Sequence, residues 1–324
     1  MNVKPLLKAI DAYIAKADEE LEETFQEEGR ADPKDSVKAV SAIEAGIAAA
    51  LVKETDYFIA EIKKFNKPSN ASNALKNVLN ALEIIKDNDV YCDTIQTTME
   101  KQLNKIVPQF TDTYVKAVDS GLTGNRLSKR TTSFIRQWSG ALARDMKLTS
   151  HTQLEKILVD AMENNSDIAT VTRTIQESGI RNEYYRARRT AITEVMRAHN
   201  VAKQEARMQN PCVSYKRWRH TGAHKNEPRD NHVAMDNKTV LKNEPFELQG
   251  AKGDWFFPMY PVDPVLPPEE SINCHCICED IVDENILGLS LDERKALQQQ
   301  AIDEMDADWE AEFDAQNRAE AGIE

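Results

Sequence analysis

Cysteine is scarce and unevenly placed in this chain: five in 324 residues, at Cys92, Cys212, Cys274, Cys276 and Cys278. An odd number, three of them crowded together, does not suit a disulfide framework and points to a reducing compartment. No run approaches eighteen consecutive apolar residues, so no membrane-spanning helix and no membrane partner are expected. The opening stretch MNVKPLLKAIDAYIAKADEELEE has no unbroken apolar core and no small-residue cleavage site, so no secretory signal is expected either. Also missing are a GxxxxGK[ST] loop, a GxSxG elbow and an HExxH helix, which removes the common sequence signs of nucleotide hydrolysis, acyl transfer and zinc proteolysis. Hydrophobic residues at 41% and charged residues at 29% are enough for a real core, and too apolar for a wholly disordered chain.

The net charge of −13 is unevenly spread. Between Arg181 and Arg229 there are 12 Lys/Arg against 4 Asp/Glu; between Glu279 and Glu324 there are 3 against 15. Such asymmetry fits separate partners for the two regions, a tail that covers a basic patch, or simply two solvated faces.

Helix breakers are sparse over the first 120 residues, and Leu6, Ile10, Tyr13, Ile14 and Ala17 keep helical spacing. Asp32 before Pro33 suits an N-cap followed by proline at the first helical position. Asn66 to Asn70 suits a turn, Ala71 to Asp87 another helix, and Asp89 to Asp119 a further segment interrupted near Pro108. After a linker near Gly121 to Asn125, helices are expected over Ser128 to Met146, Thr152 to Glu163 and Ile168 to a C-cap at Gly179. A long helix follows from Asn182 to about Gln209. Then Val213 to Trp218 alternates as a strand does, with short strands expected near Thr239 to Leu241, Trp255 to Phe257 and Ile272 to Cys278. The tail from Leu291 is helical, with Asp292 as its cap. The expectation is an α+β protein in three parts: a mainly α-helical region 1–120 for docking or spacing, a helix-plus-small-sheet domain over 125–285, and an acidic helical tail over 286–324.

The segment from the long helix to Cys278 carries the chemistry. It holds Arg186-Ala187-Arg188-Arg189-Thr190 with Thr193-Glu194, then Trp218, Arg229-x-x-His232, Asp236, Pro261-x-Asp263 and Asn273-Cys274-His275-Cys276. In order and rough spacing this set resembles the Mu F-like head-morphogenesis family of tailed phages, over about residues 130–282. His275 stands where the family pattern has Arg, and Asn237 where it has Gly after the Asp; Asn serves there if the position is left-handed. The resemblance implies a non-enzymatic minor head protein acting in procapsid assembly at the portal vertex. It also implies portal, coat or scaffolding protein as partners, contact with double-stranded DNA, and a place inside the procapsid or virion after synthesis in the host cytoplasm.

Three sets of candidate residues follow. Thiolates and imidazoles ligate zinc, so His232, Cys274 and Cys276 offer three corners of a tetrahedron, with His224 or Cys278 as a fourth. On an extended strand Cys274, Cys276 and Cys278 would share one face. A Cys-x-Cys pair there reaches one metal only if the strand bends, and the alternative is cysteine as a small buried hydrophobe. Trp218, Arg229, His232, Asp236 and Asp263 suit a polar cluster that pins long loops, or a partner contact. Arg186, Arg189, Arg197 and Arg207 fall together at 100° per residue, as a ridge for DNA phosphates or a solvated, ion-pairing face. Two other functions compete. Asp230-Asn231-His232 is similar to the start of a histidine-metal nuclease site, though no paired CxxC motif accompanies it. The basic ridge alone would fit a DNA-binding module without catalysis.

Overall fold

In the computed structural model, which describes residues 4–63, 80, 90–164, 166, 168–177, 183–221 and 228–320, helix α1 (Lys4–Glu27) ends where glycine allows it to. Gly29 sits at φ +64, its N–H bonds the Gln26 carbonyl at 3.0 Å and the Arg30 N–H reaches Phe25 at 2.9 Å, which is a Schellman turn. Helix α2 (Pro33–Lys63) starts at the expected proline. Asp32 holds φ 44, and its carboxylate accepts from Thr113 and Gln109 of the next helix, at 2.9 and 3.2 Å.

Helix α3 (Val90–Val118) runs through Pro108 without the expected interruption. The proline forfeits a helical hydrogen bond, but Ile106, Val107 and Phe110 around it are buried, and that packing keeps the rod intact. Helix α4 (Lys129–Glu163) likewise joins two segments expected to be separate, since no glycine or proline lies between Ala141 and Glu163. Helices α5 (Ile168–Glu177) and α6 (Glu183–Gln209) follow. The segments expected to hold the Asn66 turn, most of the Ala71–Asp87 helix and the Gly179 cap lie outside the described residues.

The remainder is the small sheet and its loops: β1 (Val213–Arg219), α7 (Asp230–Val233), β2 (Thr239–Leu241), β3 (Leu248–Gln249), β4 (Trp255–Phe256), α8 (Pro268–Ser271), β5 (Ile277–Val282) and α9 (Glu284–Leu287). Strand β1 is central in an antiparallel sheet of order β2-β1-β5, while β3 and β4 pair separately. Helix α10 (Leu291–Glu320) closes the chain. Its cap is Ser290 rather than Asp292: Ser290 Oγ accepts from the Glu293 N–H at 3.3 Å and Glu293 accepts from the Ser290 N–H at 2.9 Å, a capping box. The α+β class stands, and no described helix is long and apolar enough to cross a membrane.

Two compact units cut across the three segments expected from sequence. One comprises residues 1–40, 103–134 and 192–324; the other comprises 41–102 and 135–191. In the second, Ile43, Ile47, Met99, Ile135 and Ala143 are buried, and Gly46 lies so close to Thr98 that a Cβ would sit 2.4 Å from its methyl.

The first unit is built around α6. From Thr193 to Gln209 nearly every residue of this helix is buried, polar ones included. A helix buried on all sides must satisfy its polar groups internally, and these do so by gripping surrounding loops. Asn200 donates to the Pro261 carbonyl at 2.8 Å, Arg197 to Val262 at 2.9 Å and Gln204 to Lys242 at 2.9 Å. Glu205 accepts from the Ser128 N–H at 2.7 Å and from the Ser128 hydroxyl at 2.8 Å, fixing the start of α4. His199 stacks on Phe110 at 4.0 Å and lies between Ser36 and Tyr114, 2.9 and 3.0 Å away.

Candidate functional site

The site forms where β1 ends. Trp218 exchanges backbone hydrogen bonds with Asn237 and Lys238, both at 2.8 Å, and Asn237 adopts φ 68. Asparagine therefore fills a left-handed position, which accounts for its standing in place of glycine. Asp236 accepts from the His220 N–H at 2.9 Å and so fixes the turn leaving β1. The buried Trp218 ring stands edge-on to His232 (5.9 Å, 89°) and to Phe246 (5.3 Å, 85°).

Short helix α7 delivers His232. Its Nε2 lies 3.0 Å from Glu270 Oε2, and both side chains are 2% exposed. Glu270 also accepts from the Ala251 N–H at 3.0 Å and the Asn231 amide at 3.1 Å. Burial opposes its ionisation, but the Ala251 N–H, the Asn231 amide and His232 outweigh it and hold the carboxyl below its usual range. A carboxylate on Nε2 fixes the proton there and leaves the Nδ1 lone pair free. Nδ1 faces two sulfurs, Cys274 Sγ at 3.5 Å and Cys276 Sγ at 3.8 Å.

The two cysteines meet because the strand is shorter than expected. β5 begins only at Ile277; before it the chain turns, with the Cys274 N–H on Ser271 at 3.2 Å and Asn273 at φ 58. This is the bend that a Cys-x-Cys pair needs to converge on one point. The Cys276 thiol donates to Cys274 and holds it well below the usual thiol range, while that bond and burial push Cys276 up. The buried Trp218 indole N–H meets no hydrogen-bond geometry among the described residues, yet lies close enough to Cys276 to favour its thiolate. His220 Nδ1 is 3.6 Å from Cys276 Sγ.

Cys278 does not join them. It lies in β5 opposite Trp218, near the charges of Arg207, Lys216 and Lys203, and burial outweighs them to push its thiol up. Among the described residues, the donors that converge within 4.8 Å are those of His232, Cys274 and Cys276. His224 lies outside the described residues.

The expected polar cluster divides. Trp218, His232 and Asp236 surround the same turn, and Arg229 ties it to the Ile272 carbonyl at 2.7 Å. Asp263 belongs to another loop, where it accepts from the Met259 and Val265 N–H groups at 2.9 and 3.0 Å.

Two of the four arginines of the expected ridge are withdrawn from solvent. Arg197 is buried on Glu194 and Val262, and Arg207 is buried on Asp280 (2.6 Å) and Gln204 (2.7 Å). Arg189 is exposed, and the Arg186 side chain lies outside what is described. A helical wheel places charges on a face but cannot tell a solvated face from one buried against partners. Sequence reasoning also missed His220, Glu270 and Glu28. His220 sits two residues after Trp218, which was a usable signal; the two glutamates carried none.

With this geometry in view, comparison with known proteins is specific. The family described as "Phage Mu protein F like protein" matches residues 152–279, a span containing α6, the Trp218 turn and both converging cysteines. The chain belongs to this family of phage head-morphogenesis proteins. It is 32% identical over 307 residues to "Uncharacterized protein YqbB" of Bacillus subtilis (strain 168), covering 93% of this chain and 98% of that one. No solved structure matches.

Proposed function

We propose that this protein is a minor head protein that acts in procapsid assembly at the portal vertex of a tailed phage, inside the procapsid or virion. The observation that carries the reading is the family match over 152–279, which covers the buried part of α6 and the loops its Arg197, Asn200 and Gln204 side chains hold. A region whose loops are pinned to a buried helix is suited to hold a fixed surface for other head proteins. The partners are the portal protein and coat or scaffolding protein, with region 1–120 supplying the docking part.

Two competing readings lose their residues. A nuclease would need His232 to activate water, but the ring is buried, with Nε2 held by Glu270 and Nδ1 directed at two cysteine sulfurs rather than at solvent. A DNA-binding ridge would need Arg197 and Arg207 in solvent, and both are withdrawn from it.

The test is co-sedimentation of the purified full-length chain with separately purified portal and coat proteins. Binding to portal is expected; binding to coat alone would move the site away from the vertex, and binding to neither would contradict the reading. Deleting residues 1–120 is unsuitable for locating the contact, because Phe25, Phe110 and Tyr114 pack on His199. Charge reversal on exposed α1 positions, Glu19→Lys with Glu23→Lys, tests docking without touching the core.

A further inference from the structure

We infer that Cys274, Cys276, His232 and His220 form a structural zinc site that clamps the end of β1 and helix α7 to the turn before β5. Zinc bonds sulfur at about 2.3 Å and imidazole nitrogen at about 2.0–2.1 Å, so a tetrahedral S–Zn–N edge spans about 3.6 Å. The three S···N separations are 3.5, 3.8 and 3.6 Å, each close to that edge. Ordinary packing of cysteine as a small hydrophobe has no reason to direct an imidazole lone pair at two sulfurs.

A second observation points the same way. Histidines that ligate metal donate their other ring N–H to a carboxylate or carbonyl, and His232 does so to Glu270. Glu270 is itself held by the Ala251 N–H and the Asn231 amide, so the ring orientation is fixed before any metal arrives. His220, which follows directly from β1 and lies 3.6 Å from Cys276 Sγ, stands outside the 4.8 Å cluster of the other three and is the side chain placed to move in as the fourth donor. His232, Cys274 and Cys276 are all buried, which suits a closed structural site rather than a catalytic one with an open position.

Zinc here would join three chain segments that share only short secondary structure: β1 through His220, α7 through His232, and residues 274–276. Glu270 acts as a positioning residue through His232.

The test uses the full-length chain purified without chelator and analysed for metal by inductively coupled plasma mass spectrometry. About one zinc per chain is expected, lost in Cys274→Ser and Cys276→Ser and retained in Cys92→Ser and Cys212→Ser. Because the first two variants can fail to fold, the wild-type protein is also loaded with Co2+. Intense visible bands of a tetrahedral site with thiolate charge transfer are expected, against the weak spectrum of an octahedral ion. Glu270→Gln should weaken zinc binding by about 10–100-fold while leaving the cobalt spectrum tetrahedral. His220→Ala should weaken binding and alter that spectrum; unchanged affinity would remove His220 from the set. Metal-free protein whose melting temperature ignores both zinc and EDTA would overturn the site, as would a Cys274–Cys276 disulfide in the native protein.

Discussion

Glu28 and His275 are 247 residues apart in the chain and 2.6 Å apart in the fold, with the glutamate side chain fully buried. Glu28 also holds Arg30 at 2.5 Å, so one carboxylate joins the end of α1 to the residue between the two converging cysteines. The family pattern has arginine at that position, and a buried carboxylate is a partner either residue can use. His275→Arg should therefore be tolerated, within about 1 kcal/mol by denaturant unfolding, whereas His275→Ala should cost about 1–3 kcal/mol by leaving one Glu28 oxygen unpaired. Equal losses for the two would contradict the pairing.

Glu205 takes the Ser128 N–H and hydroxyl, the Thr131 hydroxyl at 2.5 Å and the Gln209 amide at 2.7 Å. It places a carboxylate at the N-terminus of α4, where the helix dipole favours one. Glu205→Ala should destabilise by about 3 kcal/mol or more, because several buried donors lose their acceptor together. A loss under about 1 kcal/mol, the size of one ordinary hydrogen bond, would show the network to be solvated instead.

The acidic tail meets the residues at the start of α4 and just before it. Asp306 accepts from Arg126 and from the Lys129 N–H, both at 2.7 Å, while Glu310 pairs with Lys129 and Glu312 with Arg130 at the surface. Exposed ion pairs contribute about 0–1 kcal/mol and weaken with salt. Glu310→Gln with Glu312→Gln should thus shift stability by under about 1 kcal/mol, less still in high salt. Asp306→Ala should cost more, about 1–3 kcal/mol, since it strips a backbone N–H as well as an arginine. The reverse order would contradict this placement.

His199 gives the fold a pH dependence. Tyr114 accepts from the Ala31 N–H at 3.1 Å and can donate to Nδ1, leaving Nε2–H for Ser36, so the ring sits neutral. Burial, then Arg30 and Lys203, lower its pKa well below 6.5. The unfolded chain binds a proton there below about pH 6.5 and the folded one does not, so stability is lost as the pH drops below about 6.5, by up to about 1.4 kcal/mol per unit of acidification. Urea midpoints measured from pH 7.5 to 5.5 should show this slope in the wild type and a shallower one in His199→Gln. Parallel slopes would assign the acid sensitivity elsewhere.

Much of this was legible in the sequence because local chemistry set it. Alternation marked β1, Asp32 before Pro33 marked the start of α2, and Asn237 after Asp236 was compatible with the left-handed turn that the fold shows there. The failures came where tertiary packing overrode local signals. Buried neighbours carried α3 through Pro108. Cys274 and Cys276 converge because the chain turns before β5, which alternation along a strand does not anticipate. Arg197 and Arg207 looked like a surface ridge because their acceptors, Val262 and Asp280, lie 65 and 73 residues away. Glu270 and Glu28 were unreadable for the same reason.

Quantitative mass spectrometry of gradient-purified procapsids and virions from the phage that encodes this chain tests the central claim most directly. A few copies per particle, far below the coat protein, is the predicted result. Absence from both particles would contradict the assignment as a minor head protein.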